Sequence, residues 1–274
     1  MRALFTAQTL GLLCLLLGAP GLPDPTRWRY VLGTALAVFL NMLAALASLP
    51  RIFGWLPLVL GHDYWMGQLL ELLVSLAGFA WLLGWCNWPR QELGLRLVFN
   101  PGTGADVRRF LLPLLLLELG ILWWLTPGGK GDVGYHLLQI SAGVTEELAF
   151  RGVLLALLDR AFPDRGRVLG AALGWGTVVS AVIFGLCHGL RVEADFHVGL
   201  ALGPMAIPLL GGLVLAWCRA RSGSLLLPIW VHSGMNEVAQ LLVVLKSWAG
   251  PVPKAAPGRR RAQPPDASCT FFSA

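Results

Sequence analysis

Residues 143–152 read GVTEELAFRG and set two adjacent acids, Glu146 and Glu147, and one base, Arg151, inside an otherwise apolar run from about 135 to 162. Ionisable groups at bilayer depth cost several kcal/mol unless they are paired or hydrated, so they are functional candidates by default. On a helix, Glu147 and Arg151 lie four apart on one face and form a pair. Glu146 is turned about 100° from Glu147 and has no partner at that spacing. A carboxylate with no local cation is the one left to take a proton from water, which is what a general base does. The same three charges would also make a structural ion cluster tying helices together, and this stretch alone does not separate the two.

Three further polar groups lie in apolar helices. His188 closes the run SAVIFGLCH, with Phe184 one turn earlier, and His232 and Asn236 stand four apart in PIWVHSGMNEV. Singly, a histidine at a helix end is more often an interfacial or packing residue, and a His/Asn pair is often interhelical glue. Together, two carboxylates, an arginine, two histidines and an asparagine on three apolar helices could line one wet cavity. With Glu146 as acid/base they supply the parts of a hydrolytic site. The five cysteines, Cys14, Cys86, Cys187, Cys218 and Cys269, form no CxxC pair and no short-spaced framework, which excludes a zinc ribbon and disulfides. Cys187 points about 100° away from His188, so it and Cys218 read as packing residues.

The elements that must position these groups are membrane helices. Of 274 residues, 56% are hydrophobic and 13% charged, with a mean hydropathy of +0.66; soluble domains carry about 25% charged residues. The net charge of +6 sits in connections between apolar runs, where it sets membrane orientation rather than a nucleic-acid face. The expected fold is all-α, a polytopic integral membrane bundle of about eight transmembrane helices, each near the ~20 residues that cross a bilayer. The runs are 3–19, 31–50, 66–87 with Gln68 and Glu71 near its start, 110–126 with Glu118, the glutamate helix stopped by Pro163, 168–190, 196–218 interrupted by Pro204 and Pro208, and 224–249. The first is expected to be a retained helix rather than a signal peptide, and 52–61, with Pro57, an interfacial or re-entrant piece. Three regions follow: N-terminal helices over 1–89, a core over 90–249, and a Pro/Ala/Arg-rich disordered tail over 250–274.

EELAFR fits E-E-x-x-x-R, Phe184 to His188 fits F-x-x-x-H, and His232 to Asn236 fits H-x-x-x-N. In this order, with Gly152 after the arginine, the chain resembles the CPBP family over about residues 90–246. That family contains type II CAAX prenyl endopeptidases and bacteriocin-processing and immunity proteins. The resemblance implies a glutamate-dependent intramembrane endopeptidase with no cofactor and no metal. Glu146 would activate a water, His188 would position it or shuttle protons, His232 and Asn236 would donate to the oxyanion, and Glu147 and Arg151 would be the structural ion pair. The implied partners are the lipid bilayer and a membrane-associated peptide or protein substrate, with no nucleic acid. That substrate could be a prenylated tail, a bacteriocin leader or a C-terminal sorting signal. Arginine-, alanine- and leucine-rich usage points to a GC-rich bacterial genome, which favours the last two, and the expected location is a bacterial inner membrane.

Two other readings stay open. A zinc metallopeptidase could be drawn on Glu146, His188 and His232. Against it, no H-E-x-x-H is present and Asn236 is a poor zinc ligand. The nearest second-shell acid, Glu147, is already committed to Arg151. A non-catalytic immunity or scaffold protein could keep the same fold.

The connections 21–30, 88–109, 159–167 and 219–223 hold Arg27, Arg29, Arg90, Arg96, Arg108, Arg109, Arg160, Arg165, Arg167, Arg219 and Arg221, against Arg51, Lys130 and Arg191 in the opposite connections. The first set is expected on the cytoplasmic side. Single cysteines at Arg165 and Arg221, in a background lacking the native five, should resist an impermeant thiol reagent in intact cells and react after lysis. Labelling from outside would reverse the topology.

Overall fold

The computed structural model describes residues 25–46, 65–125, 133–192 and 198–249. The expectations for 3–19, 52–61 and the tail lie outside the described residues.

Helix α1 is Trp28–Leu46 and α2 is Trp65–Ala80, which continues as a π-helical turn, Trp81–Trp85. A helical turn, Thr103–Asp106, and a π-helical segment, Val107–Leu111, lead into α3, Leu112–Leu125. Helix α4, Val133–Glu147, passes through a π-helical segment, Leu148–Leu154, into α5, Leu155–Ala161. Then come α6, Trp175–Gly189, α7, Leu202–Ser222, and α8, Leu226–Ala249.

The chain is mainly helical, as an all-α membrane protein is expected to be, and carries two short hairpins between its helices. Strands β1, Arg165–Val168, and β2, Ala171–Gly174, form an antiparallel hairpin, as do β3, Leu190–Val192, and β4, Val198–Leu200. These hairpins correct two expected spans. The run 168–190 starts as a hairpin because Leu169 and Gly170 take positive φ, 47° and 80°, and close a two-residue turn. The helix begins only at Trp175. The run 196–218 likewise becomes helical at Leu202, after β4. Pro204 falls in the first turn of α7, where the missing N–H has no helical partner to lose; only Pro208 is interior. Among the described residues, Met66–Trp85 and Leu202–Ser222 are long and apolar enough to cross a membrane, while Trp28–Ala44 and Trp175–Gly189 are apolar but shorter.

The segment 148–161 is the centre of the packing. It is apolar on nearly every side, and a helix of that kind must be covered all round. On one side, Val31 and Val38 of α1 and Val179, Ile183 and Phe184 of α6 pack with Phe150, Leu154 and Leu158. On another, Phe79 of α2 and Leu82 of the π-helical turn after it join Val153, Leu157 and Leu225. Two glycines set the closest approaches. A Cβ at Gly143 would lie 2.8 Å from the backbone nitrogen and 2.9 Å from the Cα of Ser233, so α4 and α8 touch backbone to backbone there. At Gly152 the ring of Phe79 fills the place of a side chain, with two ring carbons 3.2 Å from a built Cβ. This is the physical reason for a glycine directly after Arg151.

The basic connections converge on one end. Arg160 donates to Glu92 at 2.8 Å and lies 3.7 Å over the ring of Trp88, which Tyr30 meets edge-on. Arg219 donates to the carbonyl of Glu92 at 2.8 Å. Arg221 pairs with Asp106 and donates to the carbonyl of Pro101. The N–H of Asn100 donates to the carbonyl of Ser222. The connection 88–109 is thereby laid across the ends of α5 and α7.

Gly143→Val should lower the thermal stability of the detergent-solubilised protein by about 1–3 kcal/mol, the cost of overpacking where backbone cannot retreat. Gly234→Ala, with nothing within 4 Å of its Cβ, should leave it unchanged or slightly higher. Equal melting temperatures for both variants would refute the close contact.

Candidate active site

The last turn of α4 carries Glu146 and Glu147, and the π-helical segment that follows carries Arg151. The widened turn keeps the i, i+4 pair intact: Arg151 Nη1 donates to Glu147 Oε1 at 2.8 Å, with both side chains fully buried. Arg151 Nη2 donates to the carbonyl of Gly212 on α7 at 3.3 Å. Its guanidinium also lies 4.4 Å over the ring of Phe184 on α6. π-turns recur at functional sites, and this one ends where the ion pair must close.

From α8, His232 Nδ1 lies 2.9 Å from the same Glu147 oxygen. A carboxylate paired with a guanidinium accepts hydrogen bonds, so His232 donates to it from Nδ1. The far nitrogen, Nε2, then lies 3.8 Å from Glu146 Oε2, with the two side chains 12% and 13% exposed. Glu146 Oε2 itself is buried and makes no hydrogen bond to protein. The acid with no helical partner thus faces a histidine from another helix.

His188 connects to this group through Phe184, and Asn236 stands one turn beyond His232 on α8. His188 Nδ1 contacts the carbonyl of Phe184 at 2.8 Å, which fixes the ring from its own helix. The Phe184 ring lies between the histidines, 4.8 Å from His188 and 5.8 Å from His232. Asn236 is buried, and its Nδ2 donates to the carbonyl of Gln139 at 3.2 Å. Its amide is therefore anchored on α4 a turn beyond His232. The α4–α8 seam is closed further along by His136 Nδ1 and Glu237 Oε1, 2.7 Å apart. Cys218 is buried and Cys187 half-buried. Among the described residues, no three His, Cys, Asp or Glu side chains gather as a metal ion would require.

Two carboxylates that the motifs do not include belong to the same neighbourhood. Glu118 on α3 interacts electrostatically with His232, and Glu71 on α2 with Glu146. Thr145, next to Glu146, donates to Gln68 Oε1 at 2.7 Å. The available signal was the spacing of Gln68, Glu71 and Ser75, a polar stripe at i, i+3, i+7 within an apolar helix.

Glu147→Gln should strand the buried Arg151 and destabilise the protein by about 3–5 kcal/mol, the usual cost of breaking a buried pair. Pairing it with Arg151→Met should recover part of that loss. Additive losses in thermal unfolding would mean the two side chains do not depend on each other.

Searches of curated proteins and of solved structures gave no match. A family model does match, over residues 133–238, from the start of α4 to just beyond Asn236. Its description is type II CAAX prenyl endopeptidase Rce1-like, a family of membrane proteases. Over residues 133–238 the chain is similar to the type II CAAX prenyl endopeptidase Rce1-like family.

Proposed function

We propose that the protein is an intramembrane endopeptidase that hydrolyses a peptide bond through a water activated by Glu146. The observation that carries this is the Glu146 carboxylate. It is buried, has one oxygen unbonded, and lies 3.8 Å from a histidine nitrogen that a separate ion pair orients.

In the proposed reaction Glu146 takes a proton from water as the oxygen attacks the peptide carbonyl carbon. The C–O π pair moves onto the carbonyl oxygen and gives a tetrahedral oxyanion. Collapse re-forms the carbonyl and breaks the C–N bond, and the proton held by Glu146 passes to the leaving amine. His188 helps place the water or relays the proton. His232, when doubly protonated, and Asn236 donate hydrogen bonds to the oxyanion. Glu147 and Arg151 hold His232 in place and take no proton.

The substrate in this reading is a peptide presented at a bilayer. The family description makes a prenylated CAAX tail the first candidate, ahead of a bacteriocin leader or a C-terminal sorting signal. The setting is proposed to be a bacterial inner membrane.

With a fluorogenic prenylated CAAX peptide and protein in nanodiscs, Glu146→Gln should lower turnover by about 10²–10⁴-fold, the usual contribution of a general base, while the melting temperature is kept. Asn236→Ala should reduce kcat more than it raises KM. Exhaustive chelation should leave cleavage intact. Near-normal cleavage by Glu146→Gln would remove the assigned base. Loss on chelation that zinc restores would make the protein a metallopeptidase on Glu146, His188 and His232.

A further inference from the structure

The β1–β2 hairpin has a turn that its own sequence does not favour. Leu169 and Gly170 close it with φ of 47° and 80°. Two-residue turns of this hand take Asn-Gly or Asp-Gly, because a bulky side chain at the first position is strained. Leu169 carries that strain and is also 49% exposed, as is Val168 before it. In water both features are unfavourable. A tip that meets an apolar phase accounts for the exposed pair.

The hairpin does not stand out beyond the helix ends. Ala171 and Leu173 pack with Trp217 and Cys218 of α7, and Trp217 Nε1 donates to the carbonyl of Leu169 at 3.2 Å. Trp217 comes about 7.5 Å of helix rise before the end of α7 at Ser222. With α7 spanning the bilayer, the tip lies at interfacial depth, where tryptophans also gather. Leu97 and Val98, exposed in the connection 88–109, extend the apolar surface at this end. Their neighbour Phe99 packs in the same cluster as Ala171 and Leu173.

Charge identifies the partner. Arg167 pairs with Ala172 across the hairpin, so it lies on the face opposite Ala171 and Leu173 and points away from α7. It is exposed, two residues from Leu169, and has no acid partner among the described residues. Arg108 and Arg109 are likewise exposed without one. They follow Asp106, whose Oδ2 would lie 3.0 Å from a Cβ at Gly170 in the turn. The acids of this end are mostly committed: Glu92 to Arg160, Asp106 to Arg221 and Asp159 to Arg165. Asp164 alone is left against these three arginines.

We propose that the β1–β2 hairpin is an interfacial anchor for anionic phospholipid. Val168 and Leu169 enter the acyl boundary at the basic end of the bundle, and Arg167 binds the headgroup phosphate. A basic side chain beside an apolar tip suits an anionic membrane surface, where charge and apolar burial add. The anchor and the assignment of Glu146 as base are independent of each other.

Fluorescence quenching of the full-length protein in nanodiscs holding one copy each tests this. A cysteine replacing Leu169, in a background lacking the native five, carries an environment-sensitive fluorophore. In discs of mixed phosphatidylglycerol and phosphatidylcholine, lipids spin-labelled near the top of the acyl chain should quench it, and aqueous iodide should not. Iodide quenching without lipid quenching puts the tip in water and overturns the proposal. Shielding from iodide that arises only in discs with two copies would give the tip to a second copy of the chain, and overturns it too. Spin-labelled phosphatidylglycerol should quench more strongly than spin-labelled phosphatidylcholine at equal content. Arg167→Gln should lower that preference about fivefold, the share of one arginine near an anionic surface. Equal quenching by the two lipids, or a preference unchanged in Arg167→Gln, removes the headgroup site. If Leu169→Cys does not fold, the same label on Val168→Cys gives the same readout.

Discussion

A guanidinium taken fully out of water has to be met by partners on several sides, and much of this protein is arranged around Arg151. The desolvation of such an ion costs several kcal/mol, and a single carboxylate offsets that only with good geometry and further hydrogen bonds. Arg151 has the carboxylate of Glu147, the carbonyl of Gly212 and the face of Phe184. These come from α4, α7 and α6. Glu147 passes the constraint on to α8, because the oxygen that meets Arg151 also meets His232 Nδ1. One buried charge therefore sets the register of four helices, and a helix that slips by a turn leaves it unmet.

Close helix contact makes this register possible. Gly143 lets α4 reach the backbone of Ser233, one residue from His232. Asn236 and Gln139, and then His136 and Glu237, continue the same seam. At the basic end, Arg219 and Arg221 clamp the connection 88–109 through carbonyls and Asp106. Arginines expected to bias the orientation of the chain thus also hold its longest described connection in place.

The parts of this that were legible in the sequence are the local ones. Glu147 and Arg151 pair because four residues is one helical turn, and that survives the unforeseen π-helical stretch after Glu147. The four basic connections do share an end, since charge bias depends on composition. The hairpins were hidden by the same logic: Val168, Leu169 and Leu173 raise hydropathy as well in strands as in a helix, and the turn uses Leu169 at positive φ. The second partner of Glu147, the facing of Glu146 on His232, and the pairing of Gln68 with Thr145 are all contacts across distant stretches of chain. Helical spacing gives no access to those. The polar stripe on α2 was visible, but not what it faces.

The adjacency of the two acids has a consequence for His232. Successive side chains on a helix diverge by about 100°, so Glu146 and Glu147 cannot serve one face, but they can take two sides of one ring. That is their arrangement: Glu147 is on Nδ1 at 2.9 Å, and Glu146 is near Nε2 at 3.8 Å. A neutral His232 with its proton on Nδ1 can only accept at Nε2, and it becomes a donor there only when it gains a second proton. In the proposed reaction Glu146 acquires a proton from water at the moment an oxyanion appears. A histidine whose other nitrogen is held by a carboxylate is well placed to carry positive charge at that moment, as orienting carboxylates do for catalytic imidazoles elsewhere. Glu147 would then act on the chemistry through the ring it holds, while its pairing with Arg151 commits that carboxylate elsewhere. In that proposal the two adjacent acids are unequal halves of one device: Glu146 keeps an oxygen without a hydrogen-bond partner in the protein, and Glu147 is committed to Arg151.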